Sequence, residues 1–107
     1  MKDSKRWIML FFTLIFSITL SGIAAAQDGQ ALYTSKGCSA CHGTAGKEPI
    51  MPNYPRLAGQ NSAYLLEQMK DIKSGARSSG QSAVMKPMVA TVTDDEMKAI
   101  ADYLSTQ

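Results

Sequence analysis

The residues able to do chemistry are concentrated in Cys38-Ser39-Ala40-Cys41-His42, which holds both cysteines and the one histidine of the 107-residue chain. Two thiols and an imidazole at this spacing can bind zinc, exchange disulfides or anchor a haem. A structural zinc site takes four protein ligands, so a carboxylate would have to complete the set here. A thioredoxin-like dithiol follows a strand that feeds a helix, and no strand pattern precedes Cys38. The order Cys-x-x-Cys-His instead fits c-type haem attachment. Each thiol adds to a haem vinyl group to give a thioether, and the next imidazole, from His42, binds iron on one axial side. Positions 38 and 41 lie about one helical turn apart, which suits two vinyl groups on one edge of the ring.

A second axial ligand cannot be another histidine, so thioether sulfur leads. After residue 26 the candidates are Met51, Met69, Met85, Met88 and Met97. Met69 and Met97 fall on apolar helical faces and read as core filler. Met51 lies close to the attachment motif in a Pro-rich turn and reads as packing. Met85-Lys86-Pro87-Met88 lies far enough along the chain to reach the other haem face. Spacing alone leaves Met85 and Met88 as alternatives. Lys86 precedes a proline and is expected to be extended.

The elements that must carry these groups are helical. Asp28 is an N-cap for a helix over Asp28–Lys36 that stops at Gly37. A second helix runs from Asn61 or Ser62 to about Lys73, with Leu65, Leu66, Met69 and Ile72 as its buried stripe and Gly75 as its stop. Lys70 and Lys73 fall outside that stripe. Thr93-Asp94-Asp95-Glu96 is a capping box that opens a last helix with Met97, Ile100, Ala101 and Leu104 on its apolar face. Residues 44–60 contain Pro49, Pro52 and Pro55 and read as irregular. Ala76–Val92 reads as a long loop. With no strand pattern anywhere, the fold class is all-α, with about three main helices.

Residues 1–26 are of a different kind. Lys2, Lys5 and Arg6 precede an uncharged apolar stretch that ends in Ala24-Ala25-Ala26. This is the pattern of a secretory signal peptide cleaved after Ala26, with an uncleaved membrane anchor as the alternative. The remaining 81 residues hold eight basic and eight acidic side chains. That balance lacks the basic stripe a nucleic-acid binder needs, and the length excludes a two-domain enzyme. A chain this short rarely closes a core without a staple. A covalent porphyrin supplies one, walled by Leu57, Leu65, Met69, Ile72, Val84, Val89, Ile100 and Leu104.

Residues 28–105 resemble a small bacterial class I c-type cytochrome, and more closely one half of the tandem two-haem cytochromes of that class. The resemblance rests on Gly37-Cys38-Ser39-Ala40-Cys41-His42-Gly43, on Asn53-Tyr54-Pro55-Arg56-Leu57-Ala58-Gly59-Gln60, on Tyr64-Leu65 with Gln68, and on the Met-bearing loop before Thr93-Asp94-Asp95-Glu96. It implies the class I cytochrome c fold over residues 27–107, around one covalently attached haem c with iron. It implies Met85 as sixth ligand, because the family methionine lies eight residues before the cap of the last helix. Pro55 matches the proline whose carbonyl accepts from the proximal imidazole, and Leu57 the leucine that packs on the haem. Gly29, Tyr33 and Tyr103 match residues where the terminal helices cross. The implied role is a periplasmic electron carrier between redox-partner proteins, soluble after cleavage, with no small-molecule substrate or nucleic acid and no enzyme activity. The alternative is a haem-bearing subunit of a periplasmic oxidoreductase complex.

Overall fold

The structure is a computed structural model, and it describes residues 27–107. The expected signal peptide lies outside the described residues. Five α-helices follow one another: α1 (Gly29–Ser35), α2 (Cys38–His42), α3 (Ser62–Ser74), α4 (Ser82–Val89) and α5 (Asp94–Ser105), with a 3-10 turn at Thr44–Gly46 after α2. No strand occurs among the described residues. The all-α expectation holds, and two further helices, α2 and α4, join the three foreseen.

The helix boundaries follow from local chemistry. The Asp28 carboxylate accepts from the backbone N–H groups of Gln30 and Ala31, which would otherwise lack partners. The Asn61 side chain accepts from Tyr64 N–H at the start of α3, and Gly75 closes that helix. At the start of α5 the Thr93 hydroxyl accepts from Glu96 N–H at 3.2 Å while the Glu96 carboxylate accepts from Thr93 N–H at 3.0 Å. Lys36 Nζ stands 3.5 Å from the same carboxylate, which ties the end of α1 to the start of α5.

The core lies where α1 and α3 pack against α5. Tyr33 of α1, Leu65, Met69 and Ile72 of α3, Val89 of α4, Val92, and Met97, Ile100, Ala101 and Leu104 of α5 are all buried. Gly29 makes the α1–α5 crossing possible. A Cβ at position 29 would overlap the Ala99 carbonyl oxygen and fall 2.7 Å from Tyr103 Cβ. One turn further on, the Tyr33 and Tyr103 rings meet at 5.9 Å and 55°. Tilted pairs at this spacing add to what burial alone contributes.

Some expectations need correction. Ala76–Val92 is not one long loop, because Ser82–Val89 is helical. Its buried positions, Ser82 and Val89, are seven residues apart, while Val84 and Met88 are exposed, so no apolar stripe is written in the sequence. Lys86 is accordingly helical rather than extended. Pro87 sits in the last turn, where its missing N–H removes a single bond, that to the Ala83 carbonyl. Val84 is 63% exposed and outside the buried core, although it lines the cavity described below, and Met51, 45% exposed, is not packed.

Replacing Gly29 by Ala is expected to push α1 off α5 and lower stability by about 2 kcal/mol, the scale of overpacking a tight contact. Urea denaturation of the two proteins checks this, and equal midpoints would contradict the close approach.

Candidate functional site

His42 is the last residue of α2, and the residue is 7% exposed. Its Nδ1 lies 3.0 Å from the Pro55 carbonyl oxygen. A carbonyl can only accept, so the proton of this bond is on Nδ1, and Nε2 is left with its lone pair. The contact therefore selects the tautomer a metal-binding imidazole needs, and holds the ring at a fixed angle. The chain between His42 and Pro55 is itself pinned. Ile50 N–H donates to the Cys41 carbonyl at 3.0 Å, while Leu57 and Ala58 N–H donate to the Gly46 carbonyl at 2.9 and 3.1 Å.

The next residue, Gly43, turns the chain out of α2 at φ 79°, ψ 175°. Side chains rarely adopt this left-handed φ, and a Cβ there would also overlap the Glu48 carbonyl. The Gly43 carbonyl accepts from the Tyr33 hydroxyl at 2.7 Å and from Gly46 N–H at 3.2 Å. Burial pushes the Tyr33 phenol up to about 12.

Cys38 and Cys41 are half-buried free thiols one turn apart on α2. Burial pushes the Cys38 thiol up as well. Both open with His42 into a single cavity of about 470 Å³ whose walls come from all five helices and from residues 53–57 and 77–81. The six residues expected at the site, Cys38, Cys41, His42, Pro55, Leu57 and Met85, all line it. Leu57 and Met85 are half-buried and pack against the core. Met88 also lines the cavity, but it is 46% exposed, and its methyl group lies 2.9 Å from where a Cβ on Gly37 would stand. Of the walls expected around the cofactor, Leu65, Met69, Ile72, Val84, Val89, Ile100 and Leu104 are in place.

The sequence reading did not single out Arg77, and it took Tyr33 only as a helix-crossing residue. Both line the cavity. Arg77 Nη1 donates to the Gln68 side-chain oxygen at 2.9 Å. Nothing in the local sequence marks Arg77, because its position depends on how the chain leaves α3. The Tyr33 hydroxyl could have been suspected from a polar tip on an otherwise apolar helix face.

Among the described residues no group of three or more His, Cys, Asp and Glu converges on a metal-sized site, so tetrahedral zinc finds no fourth ligand. The donor set instead fits a haem. Two thiols on one edge, a buried imidazole with its Nε2 lone pair available, and thioether sulfur on α4 all open onto one largely apolar cavity.

Comparison with known proteins agrees. Residues 26–107 match the family described as Cytochrome c. The chain is 38% identical over 100 residues to Cytochrome c4 of Pseudomonas aeruginosa, covering 92% of this chain and 48% of that protein. It is 37% identical over 97 residues to the Thiosulfate dehydrogenase electron acceptor of Stutzerimonas stutzeri, covering 84% and 44%. It is 39% identical over 82 residues to Cytochrome c-553 of Nitratidesulfovibrio vulgaris, covering 77% and 78%. The chain thus spans about half the length of the first two. It belongs to the cytochrome c family of electron-transport haem proteins, and its cofactor is one covalently attached haem c.

A phenol with a raised pKa holds its proton more tightly folded than unfolded. The stability this contributes is fully present below pH 10 and is lost as pH rises through about 12. Tyr33→Phe is expected to cost about 1 kcal/mol at neutral pH for the lost hydrogen bond. It is also expected to flatten the loss of stability across that alkaline window. Urea midpoints measured against pH check both, and parallel profiles for the two proteins would contradict the assignment.

Proposed function

We propose that the chain is a single-haem electron carrier, exported to the periplasm, that passes one electron at a time between redox-partner proteins. In this reading Cys38 and Cys41 form the two thioethers, His42 and Met85 are the axial ligands, and Leu57 packs on the ring. The observation that carries it is the buried His42 ring, held through Nδ1 by Pro55 and sharing one cavity with both thiols and Met85. When bound, the haem supplies a one-electron iron couple, and ligation by His and Met is the pairing that raises its potential.

The chain's own residues do the rest. The Pro55 carbonyl fixes the imidazole and makes Nε2 a stronger donor. Leu57, Leu65, Ile72 and Ile100 exclude water and lower the local dielectric. No Asp, Glu or Lys lines the cavity among the described residues, and its walls are largely apolar. Export rests on the signal-peptide pattern of residues 1–26. No helix of the described residues is long and apolar enough to cross a membrane.

A second reading has one observation in its favour. The Stutzerimonas stutzeri relative is named an electron acceptor of thiosulfate dehydrogenase, which favours a haem-bearing subunit that works with a periplasmic oxidoreductase. Copurification with a catalytic chain would select it.

Met85 and Met88 separate experimentally. In the purified haem protein, Met85→Ala is expected to abolish the sulfur-to-iron charge-transfer band at the red end of the oxidised spectrum and to lower the potential. Met88→Leu is expected to leave the band in place, since that side chain packs over Gly37. The opposite result would make Met88 the ligand. Loss of the band in neither variant would overturn ligation by methionine.

A further inference from the structure

Resting on the carrier reading above, we propose that a surface hollow over residues 49–56 is where a redox partner docks. Its occupant is an apolar side chain of the partner with a carboxylate beside it, and Tyr54 couples that contact to His42. The hollow has a volume of about 410 Å³ and is lined by Pro49, Ile50, Met51, Pro52, Tyr54 and Arg56. Ile50 is 64% exposed and its neighbour Met51 is 45% exposed. Large apolar side chains left outside together mark a contact surface, whereas single ones need no explanation.

The loop is fixed in the shape that presents them. Its prolines restrict the backbone. Ile50 N–H donates to the Cys41 carbonyl of α2 at 3.0 Å, and Tyr54 N–H donates to the Met51 carbonyl at 3.1 Å. A surface ordered in advance loses little freedom when a partner meets it.

Charge selects the partner. Arg56 is exposed, and no carboxylate lines the hollow. Lys36, Lys70 and Lys98 each stand within 4.0 Å of a carboxylate, whereas no described carboxylate lies within that distance of Arg56. A second copy of this chain, docked on a two-fold axis through the hollow, would set Arg56 against Arg56. A different protein with an acidic residue beside an apolar one meets both features. Tyrosine and arginine are also the residue types that anchor such contacts.

Tyr54 gives the contact its purpose. It is half-buried and lines both the hollow and the cavity shared by Cys38, Cys41 and His42. Its ring centre lies 6.3 Å from that of His42, with the planes at 46°. A partner seated in the hollow is therefore one aromatic ring away from the imidazole. One electron passes from the reduced partner to ferric iron, which becomes ferrous. Tyr54 is neither oxidised nor deprotonated and serves only as the medium between them.

The test is voltammetry of the purified haem-bearing protein on gold that carries a mixed monolayer of carboxylate-ended and methyl-ended thiols. This probe presents the chemistry proposed for the partner. Ile50→Glu and Arg56→Gln are each expected to weaken adsorption by roughly fivefold, the scale for losing one anchor of an interface. Tyr64 is 51% exposed and lines neither space, so Tyr64→Glu is expected to adsorb like wild type. The rate is read at zero driving force, so that a change of potential does not enter. Tyr54→Leu is expected to slow transfer several-fold, and Tyr54→Phe to recover the rate. If Tyr54→Leu does not accumulate, Tyr54→Met gives the same comparison. The charge-transfer band is recorded alongside, and its absence from the wild type would overturn the methionine-ligated carrier reading itself. With the band present, three results would overturn the docking proposal: Ile50→Glu adsorbing like wild type, Tyr64→Glu weakened as far as Ile50→Glu, or Tyr54→Leu transferring at the wild-type rate.

Discussion

The hydrogen bond from His42 Nδ1 to the Pro55 carbonyl is the constraint on which the rest of the molecule converges. It joins residues thirteen apart, so it exists only if the intervening irregular chain is held in one shape. Proline at positions 49, 52 and 55 removes backbone donors, which leaves few bonds to do the holding. Those present are anchored at both ends: Ile50 to the Cys41 carbonyl on α2, Leu57 and Ala58 to Gly46, and Gly59 to the Leu104 carbonyl on α5 at 2.9 Å. The orientation of a single imidazole therefore depends on how α5 docks. That docking depends in turn on the Gly29 crossing and on the box that starts the helix at Thr93. A substitution in α1 can thus reach the site without touching it.

The same geometry explains how a chain of this size forms a core. Five helices contribute walls to the cavity, and Leu57 and Met85 pack both on the protein core and on the space the cofactor takes. Haem and protein share one apolar interior, so binding free energy is also folding free energy. Tyr33 shows the economy of the design. Its ring packs on Tyr103 at the helix crossing, while its hydroxyl fixes the carbonyl of the residue after His42.

How much of this could be read from the sequence depended on whether the determinant was local. Asp28, Asn61 and the Thr93–Glu96 box cap helices through contacts within three residues, so the boundaries of α1, α3 and α5 could be read directly. Cys38, Cys41 and His42 were equally plain, because thioether attachment demands that spacing. Pro55 came from resemblance, and the 3.0 Å contact is its physical basis. Helix α4 was hidden because its exposed face carries Val84 and Met88, and because Ser82 is buried where an apolar residue would be expected. The same mixed face leaves Val84 63% exposed although it lines the cavity. Arg77 carried no local signal, since its place in the wall follows from the turn after α3 and from Gln68, nine residues earlier on a different element.

In the proposed reading the haem iron is held by His42 on one side and by methionine sulfur on the other, with no position open to a substrate. Exposure of the reduced, purified protein to carbon monoxide tests it most directly. The absorption spectrum is expected to be unchanged by the gas at neutral pH. Rapid conversion to a carbon monoxide adduct would show an open or readily displaced sixth position, and would contradict the closed electron carrier described here.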